Sequence, residues 1–252
     1  MRRRTSLVAL AFGNFVIGTG TLAVPGMLPL LAEGIGVPLA LAGQLVTVFA
    51  VAVCFGAPLL AGATSRLDRR NLLVATQLLF ALGHLAAALV SSFAPMLAAR
   101  VLSAGGAALF SAQAAATAAL LVPPAARGRA IGIVFLGWTL AAVIGLPFAA
   151  YVGAAFGWRT GFAIIAAGGA LAAASVWALV PRGLRVQPLD RAAWRAIFTN
   201  PQLVSVLAVT ALLTSAGWTV FVYLVPALHA LVGASPEAIS LLLAAFGAMG
   251  IV

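Results

Sequence analysis

Long, continuous apolar runs separated by short polar breaks make up almost the whole chain. They cover approximately residues 7–32, 39–64, 72–92, 95–122, 130–154, 160–180, 202–230 and 238–252. A bilayer core takes about 20 apolar helical residues to cross. The first seven runs are long enough; the eighth reaches 252 after about 15 residues. Each run is expected to be a helix, because backbone polar groups in lipid must be satisfied within the segment. A membrane barrel would instead show alternating segments of about ten residues. The expected fold class is an all-α polytopic membrane protein. Met1-Arg2-Arg3-Arg4 before the first run could open a signal peptide. The apolar stretch is too long for one, and Pro25 and Pro29 lie within it, so the first run reads as a retained helix.

Composition agrees with the pattern. The 252 residues are 64% hydrophobic and 7% charged, and the mean hydropathy is +1.18. Soluble domains carry about 25% charged residues. The net charge of +10 would suggest nucleic acid in a soluble protein. Here the basic residues sit in short clusters between apolar runs and form no groove with stacking aromatics, so no nucleic-acid partner is expected. The lone Cys54, inside an apolar run, excludes an intramolecular disulfide and a thiolate metal cluster.

The charges orient the chain. All 14 basic residues are arginine. Arg2, Arg3 and Arg4 precede the first run, and Arg66, Arg69 and Arg70 join the second and third. Arg127 and Arg129 join the fourth and fifth, and Arg182, Arg185, Arg191 and Arg195 join the sixth and seventh. Only Arg159 falls in a loop on the other side, and Arg100 lies inside the fourth run. Positive loops stay inside, which predicts a cytoplasmic N-terminus.

Loops are short except 181–201, which is basic, contains Pro188 and is expected to carry a surface helix around 189–198. It reads as a cytoplasmic linker between bundles, or as an ordinary long loop. A shift of 197 positions supports the linker. It puts Gly20 on Gly217, Pro29 on Pro226, Gly36 on Gly233, Leu45 on Leu242 and Phe49 on Phe246. Parallel repeats of this kind occur in transporters. The second copy runs for 55 residues, so the chain is expected to be cut within an eighth helix.

Few side chains suit chemistry. The acids Glu33, Asp68, Asp190 and Glu237 all lie at run ends or in loops. With no carboxylate at mid-membrane there is no acid–base dyad, no metal cage and no carboxylate proton relay. An enzyme is therefore not expected, nor a cofactor. Arg100 is the leading functional candidate, because a charge within a span costs several kcal/mol unless it meets water or a partner. Ser103, Ala107 and Ser111 share its face, which suits a cavity lining; the alternative is an arginine reaching to the outer headgroups. A second polar-to-small stripe runs through Asn14, Gly18, Thr21 and Pro25. Asn14 there either faces water or makes a bond between helices. Gln44 and Thr47 form a shorter stripe in the second run. Gln113 points away from Arg100 and suits packing better than binding. His84 is either a titrating group or a neutral buried one. Gly137, Ala141, Gly145, Ala149, Gly153 and Gly157 form a ladder at every fourth position, with Pro147 inside it. Such a ladder admits a close helix neighbour, fixed or moving. Trp218 and Tyr223 either contact solute or fill a core.

These residues resemble the major facilitator superfamily, especially its drug:proton antiporter branch and the arabinose- or chloramphenicol-efflux-like permeases. The turn Ala61-Gly62-Ala63-Thr64-Ser65-Arg66-Leu67-Asp68-Arg69-Arg70 is similar to the family's first signature, Gly-x-Leu-x-Asp-Arg-x-Gly-Arg-Arg. Arg66, Arg69 and Arg70 match; Ser65 stands at the aspartate and Asp68 at the second glycine. Arg100 and Gly106 match the second signature, with Ser103-Ala104 in place of its Gln-Gly. Gly145-Leu146-Pro147 resembles the antiporter signature, with one residue between its Gly and Pro. Gly157-Trp158-Arg159 with Phe162, and Tyr223 with Pro226 and Gly233, are also common in the family. Efflux permeases often carry an acid in the first helix; Gly18-Thr19-Gly20-Thr21 has none, which leaves proton coupling through this half unsupported.

The resemblance implies a twelve-helix fold. Residues 1–180 would be its N-terminal six-helix bundle, 181–201 the linker, and 202–252 the start of the C-terminal bundle, with helix 7 and part of helix 8. It implies a monomeric secondary transporter of the inner membrane that exports a small drug- or sugar-like solute by alternating access, driven by protons. Arg100, Asn14, Thr21, Gln44, Trp218 and Tyr223 would serve solute or coupling. Ser65, Arg66, Asp68, Arg69 and Arg70 would gate the cytoplasmic side, and Gly137, Gly145, Pro147 and Gly153 would form a moving contact. The competing expectation is a non-transporting fragment or membrane interaction protein.

Overall fold

The apolar runs become helices, and the interruptions in those helices fall where the sequence withdraws a backbone donor. The computed structural model describes residues 2–185, 195 and 199–249. Among them all regular structure is helical. Seven stretches are long and apolar enough to cross a membrane: Arg3–Gly26, Leu39–Ala63, Arg69–Leu89, Phe93–Leu120, Pro124–Phe156, Trp158–Leu179 and Pro201–Val222. They match the seven long runs and are called the first to seventh spans. The helix Pro236–Met249 is the eighth. The chain is thus a multi-pass membrane protein. The surface helix expected around 189–198 lies outside the described residues apart from Arg195.

The first and seventh spans break in the same way. The first runs Arg2–Gly26, breaks at Met27, and resumes as Leu28–Gly34. Pro29 has no N–H for the carbonyl of Pro25, so the hydrogen-bond ladder is interrupted there. The seventh runs Pro201–Val222, breaks at Tyr223, and resumes as Leu224–Val232, with Pro226 withdrawing the donor for Val222. Both then turn on a left-handed glycine, Gly36 at φ +68° and Gly233 at φ +63°, a conformation that glycine reaches without the Cβ penalty. These two glycines are 197 residues apart, so the sequence repeat has a geometric counterpart.

The fifth span contains a different irregularity. Arg127–Leu140 passes through one π turn, Ala141–Gly145, into Leu146–Phe156. Pro147 lies just after it, and the widened turn falls where the proline withdraws a backbone donor.

Packing follows the small residues. The third span lies against the fourth and sixth, the second against the fourth, and the first against the fifth and sixth. The third and fourth cross at glycines on both sides. A Cβ on Gly106 would overlap the Thr76 carbonyl oxygen, and one on Gly83 would overlap Ser103. Leu10, Ile17, Leu31, Leu73, Phe80, Phe110 and Phe162 are fully buried among these spans. The eighth helix packs on the fifth span. The seventh leaves nearly all its side chains exposed as far as Gly217.

Candidate functional site

Arg100 enters the interior of the fourth span, and no carboxylate among the described residues pairs with it. It is 1% exposed, the largest fully buried side chain among the described residues. Its guanidinium carbon sits 4.3 Å from the centroid of the Phe49 ring on the second span. Its Nε and Nη1 have no hydrogen-bond partner among the described residues. A cation over an aromatic face gains about 2 kcal/mol when desolvated, less than the several kcal/mol that burying the ion costs. The arrangement leaves donors free for an anionic or strongly polar group. Ser103, on the same face, returns its hydroxyl to the Arg100 carbonyl at 2.9 Å.

The two polar stripes meet. Asn14 is buried on the first span, and its Nδ2 donates to the Val134 carbonyl at 3.0 Å. Its Oδ1 accepts from Ser111 Oγ at 2.8 Å, and that hydroxyl accepts from Trp138 Nε1 at 3.1 Å. First, fourth and fifth spans are therefore joined through one amide, one hydroxyl and one indole. Thr21 is half-buried and donates to Ile17 O within its own helix at 2.8 Å. Gln44 is exposed and takes no part in this network.

The ladder of the fifth span meets the first span. A Cβ on Gly137 would overlap Ala11 O, one on Gly145 would overlap Thr19, and one on Gly153 would overlap Met27. Pro147 is half-buried beside the π turn. Gly157 departs from the ladder: at φ +85° it ends the fifth span, and a Cβ there would meet nothing within 4 Å. Four-residue spacing continued past the point where the helix stops.

Between the first, fifth and seventh spans lies a cavity of about 310 Å³. Leu22, Ala142, Leu146, Thr214, Trp218 and Phe221 line it. Trp218 thus faces an apolar space, and Thr214 is its one polar lining side chain. Tyr223 is 39% exposed, and its hydroxyl lies over Gly43 of the second span, where a Cβ would overlap it.

The turn from second to third span carries the residues of the expected gate motif, Ser65 to Arg70. Asp68 is the N-cap of the third span, and its Oδ1 accepts from the backbone N–H groups of Arg70 (3.0 Å) and Asn71 (3.3 Å). Its Oδ2 accepts from Gly183 N at 2.6 Å. Both oxygens thus hold backbone. The cause is its position one residue before the helix, where a short carboxylate reaches the free N–H groups. Arg69 is buried and donates through Nη1 to Gln113 Oε1 of the fourth span. Arg70 is buried with its guanidinium carbon 4.1 Å from the Trp177 ring centroid. Ser65 returns its hydroxyl to Gly62 O, and Arg66 is exposed.

The family model of the Major Facilitator Superfamily matches residues 10–252. The chain belongs to this superfamily. The MFS-type transporter YtbD of Bacillus subtilis is 37% identical over 96% of this chain and 61% of its own length. The inner membrane transport protein YdhP of Escherichia coli K12 is 31% identical over 98% and 64%. A chloramphenicol resistance protein of Streptomyces lividans is 34% identical over 96% and 63%. The chain therefore spans 61% to 64% of the length of these relatives. The fold is shared with the crystal structure of a bacterial homologue of the human lysosomal transporter Spinster, inward-facing and unoccupied. The TM-score is 0.81 at 21% identity, covering 98% of this chain and 59% of that one.

Within this major facilitator fold, Gln77 and His84 of the third span join the first span, a contact that no sequence motif names. Gln77 is fully buried and donates to Gly13 O at 2.9 Å. His84 is buried between Phe80 O (3.0 Å from Nδ1) and Gly20 O (3.4 Å from Nε2). The two are seven residues apart on one face of the third span, and both reach the backbone of the first. That spacing was a readable signal for a first-to-third contact.

Proposed function

We propose that the chain is part of a secondary transporter that exports a small organic solute across the bacterial plasma membrane by alternating access, coupled to protons. The observation that carries this reading is Arg100, a buried guanidinium with two nitrogens unpartnered in a protein of this superfamily. It would orient the solute or a coupling network. The apolar cavity beside Trp218 favours an amphipathic solute, and the relative named for chloramphenicol resistance favours a drug-like one. In this reading residues 1–180 form the N-terminal bundle, 181–201 a cytoplasmic linker and 202–252 the start of the second bundle, with the N-terminus cytoplasmic. Asn14, Thr21, Gln44 and Tyr223 would line or support the path. Sliding of the fifth span on the first, at Gly137, Gly145, Pro147 and Gly153, would open and close it. The turn Ser65–Arg70 would meet the second bundle at the cytoplasmic gate.

A second reading, a membrane interaction protein that moves no solute, is favoured by the exposed seventh span, an apolar helix surface free to receive another helix. Proteoliposomes holding the purified chain, assayed with a panel of amphipathic drugs and sugars under an imposed proton gradient, separate the two. Transport requires movement that stops when the gradient is collapsed. No gradient-dependent movement of any solute, with the seventh span protected by a partner, supports the interaction protein.

A further inference from the structure

At the arginine-rich end of the helices, two guanidinium groups share one indole ring. Arg70 lies 4.1 Å and Arg182 5.5 Å from the centroid of Trp177 near the end of the sixth span. Arg70 is 8% exposed, and its Nε and Nη2 have no hydrogen-bond partner among the described residues. Arg182 is exposed, and Trp177 is about half-exposed at 49%. The segment carrying Arg182 is held in place. Gly183 N donates to Asp68 Oδ2, Arg69 N donates to Leu184 O at 3.0 Å, and Gly183 turns at φ +81°. Asp68 is the carboxylate nearest Arg70 in sequence, and its oxygens are taken by the N–H groups of Arg70, Asn71 and Gly183. Two like charges are therefore fixed beside one ring while the local acid is spent on backbone. Buried or crowded charges are normally paired, and planar guanidinium groups match phosphate oxygens two at a time.

We propose that Arg70, Arg182 and Trp177 form a binding site for a phosphate-type oxyanion. The site is built by folding the 182–184 segment onto the N-cap of the third span. Arg70 supplies the buried donors, Arg182 closes over the anion from the solvent side, and the half-exposed indole carries both guanidinium faces. The ligand is either the headgroup of an anionic phospholipid or a soluble phosphate. If the N-terminus is cytoplasmic, as proposed above, the leaflet concerned is the inner one. The site itself does not depend on that orientation or on solute transport.

The test uses the purified chain in nanodiscs, which offer both leaflets whichever way the protein is inserted. Native mass spectrometry measures lipid retention in phosphatidylcholine discs with and without phosphatidylglycerol. Thermal unfolding in neutral detergent, with and without inorganic phosphate, gives the second arm. Wild-type protein is expected to retain phosphatidylglycerol about tenfold better than Arg182→Ala, as for a charge-assisted hydrogen bond. Arg70→Lys, which keeps the charge and loses the fork, should also retain it less well. Arg127→Ala, an exposed arginine elsewhere, should behave as wild type. Retention of phosphatidylglycerol without a phosphate effect identifies a lipid headgroup. A phosphate-dependent stabilisation lost in Arg182→Ala identifies a soluble anion. No preference in either arm, or an equal loss in Arg127→Ala, overturns the proposal.

Discussion

The first and seventh spans share one design and live in different surroundings. Each is a long helix, a one-residue break set by a proline, a short second helix, and a left-handed glycine. Of their most apolar windows, 72% of the first is buried and none of the seventh. Their polar side chains differ accordingly. In the first, Ser6 donates to Leu179 O of the sixth span and Asn14 bridges to Val134 and Ser111. In the seventh, Ser205, Thr210 and Thr219 donate to carbonyls three or four residues back in the same helix. The break is therefore local, written by proline and glycine in each copy. Burial is tertiary, and polar groups reach outward only where a neighbouring span stands close enough to answer.

That contrast is open to direct test. The largest effect is expected at the ladder. Gly137→Leu drives a side chain into Ala11 O and should cost about 3 kcal/mol or prevent folding. Gly217→Leu, where a Cβ meets nothing within 4 Å, should leave thermal unfolding in detergent within about 0.5 kcal/mol of wild type. Equal effects at the two sites would erase the distinction. Next comes Asn14→Leu, which removes two bonds between spans and should destabilise by about 1–2 kcal/mol. Thr210→Val, which removes a bond within one helix, should be near neutral. A double-mutant cycle of Asn14→Leu with Ser111→Ala should show a coupling of about 0.6 kcal/mol or more. Additive losses would mean that the bond carries no energy.

Smaller still is Asp68→Ala, which removes an N-cap worth about 1 kcal/mol. It should also speed amide exchange at Gly183, since Oδ2 no longer accepts there. Unchanged exchange would show that the linker is held by something else. The smallest change is expected for Thr19→Val. Its buried Oγ1 has no hydrogen-bond partner among the described residues, so losing it should be neutral or slightly stabilising; a loss above about 1 kcal/mol would reveal a partner for that hydroxyl.

Much of the architecture was legible in the sequence because a bilayer imposes simple rules. Length and hydropathy alone locate the seven spans, and the 197-residue offset anticipates the paired glycines. The break at Met27 was less visible. Pro25 and Pro29 mark the region, but two prolines four residues apart do not say which residue leaves the helix. Side-chain partners were the hardest to read. Arg69 and Gln113 are 44 residues apart and on different spans, and nothing local to either names the other. Asn14 and Ser111 were each placed on a polar stripe, yet only the crossing of their helices joins them. Asp68 was read only as part of the gate motif, because charge and motif position are visible in a sequence. Its capping role depends on where the helix begins, and that boundary is the less certain part of any such reading.

The most direct test of the proposed function is transport by the Arg100→Ala variant in energised vesicles, at wild-type abundance in the membrane. If Arg100 serves the solute or its coupling, the variant loses gradient-driven solute movement by at least about tenfold, because no other described guanidinium is fully buried inside a span. Movement at the wild-type rate would contradict that role.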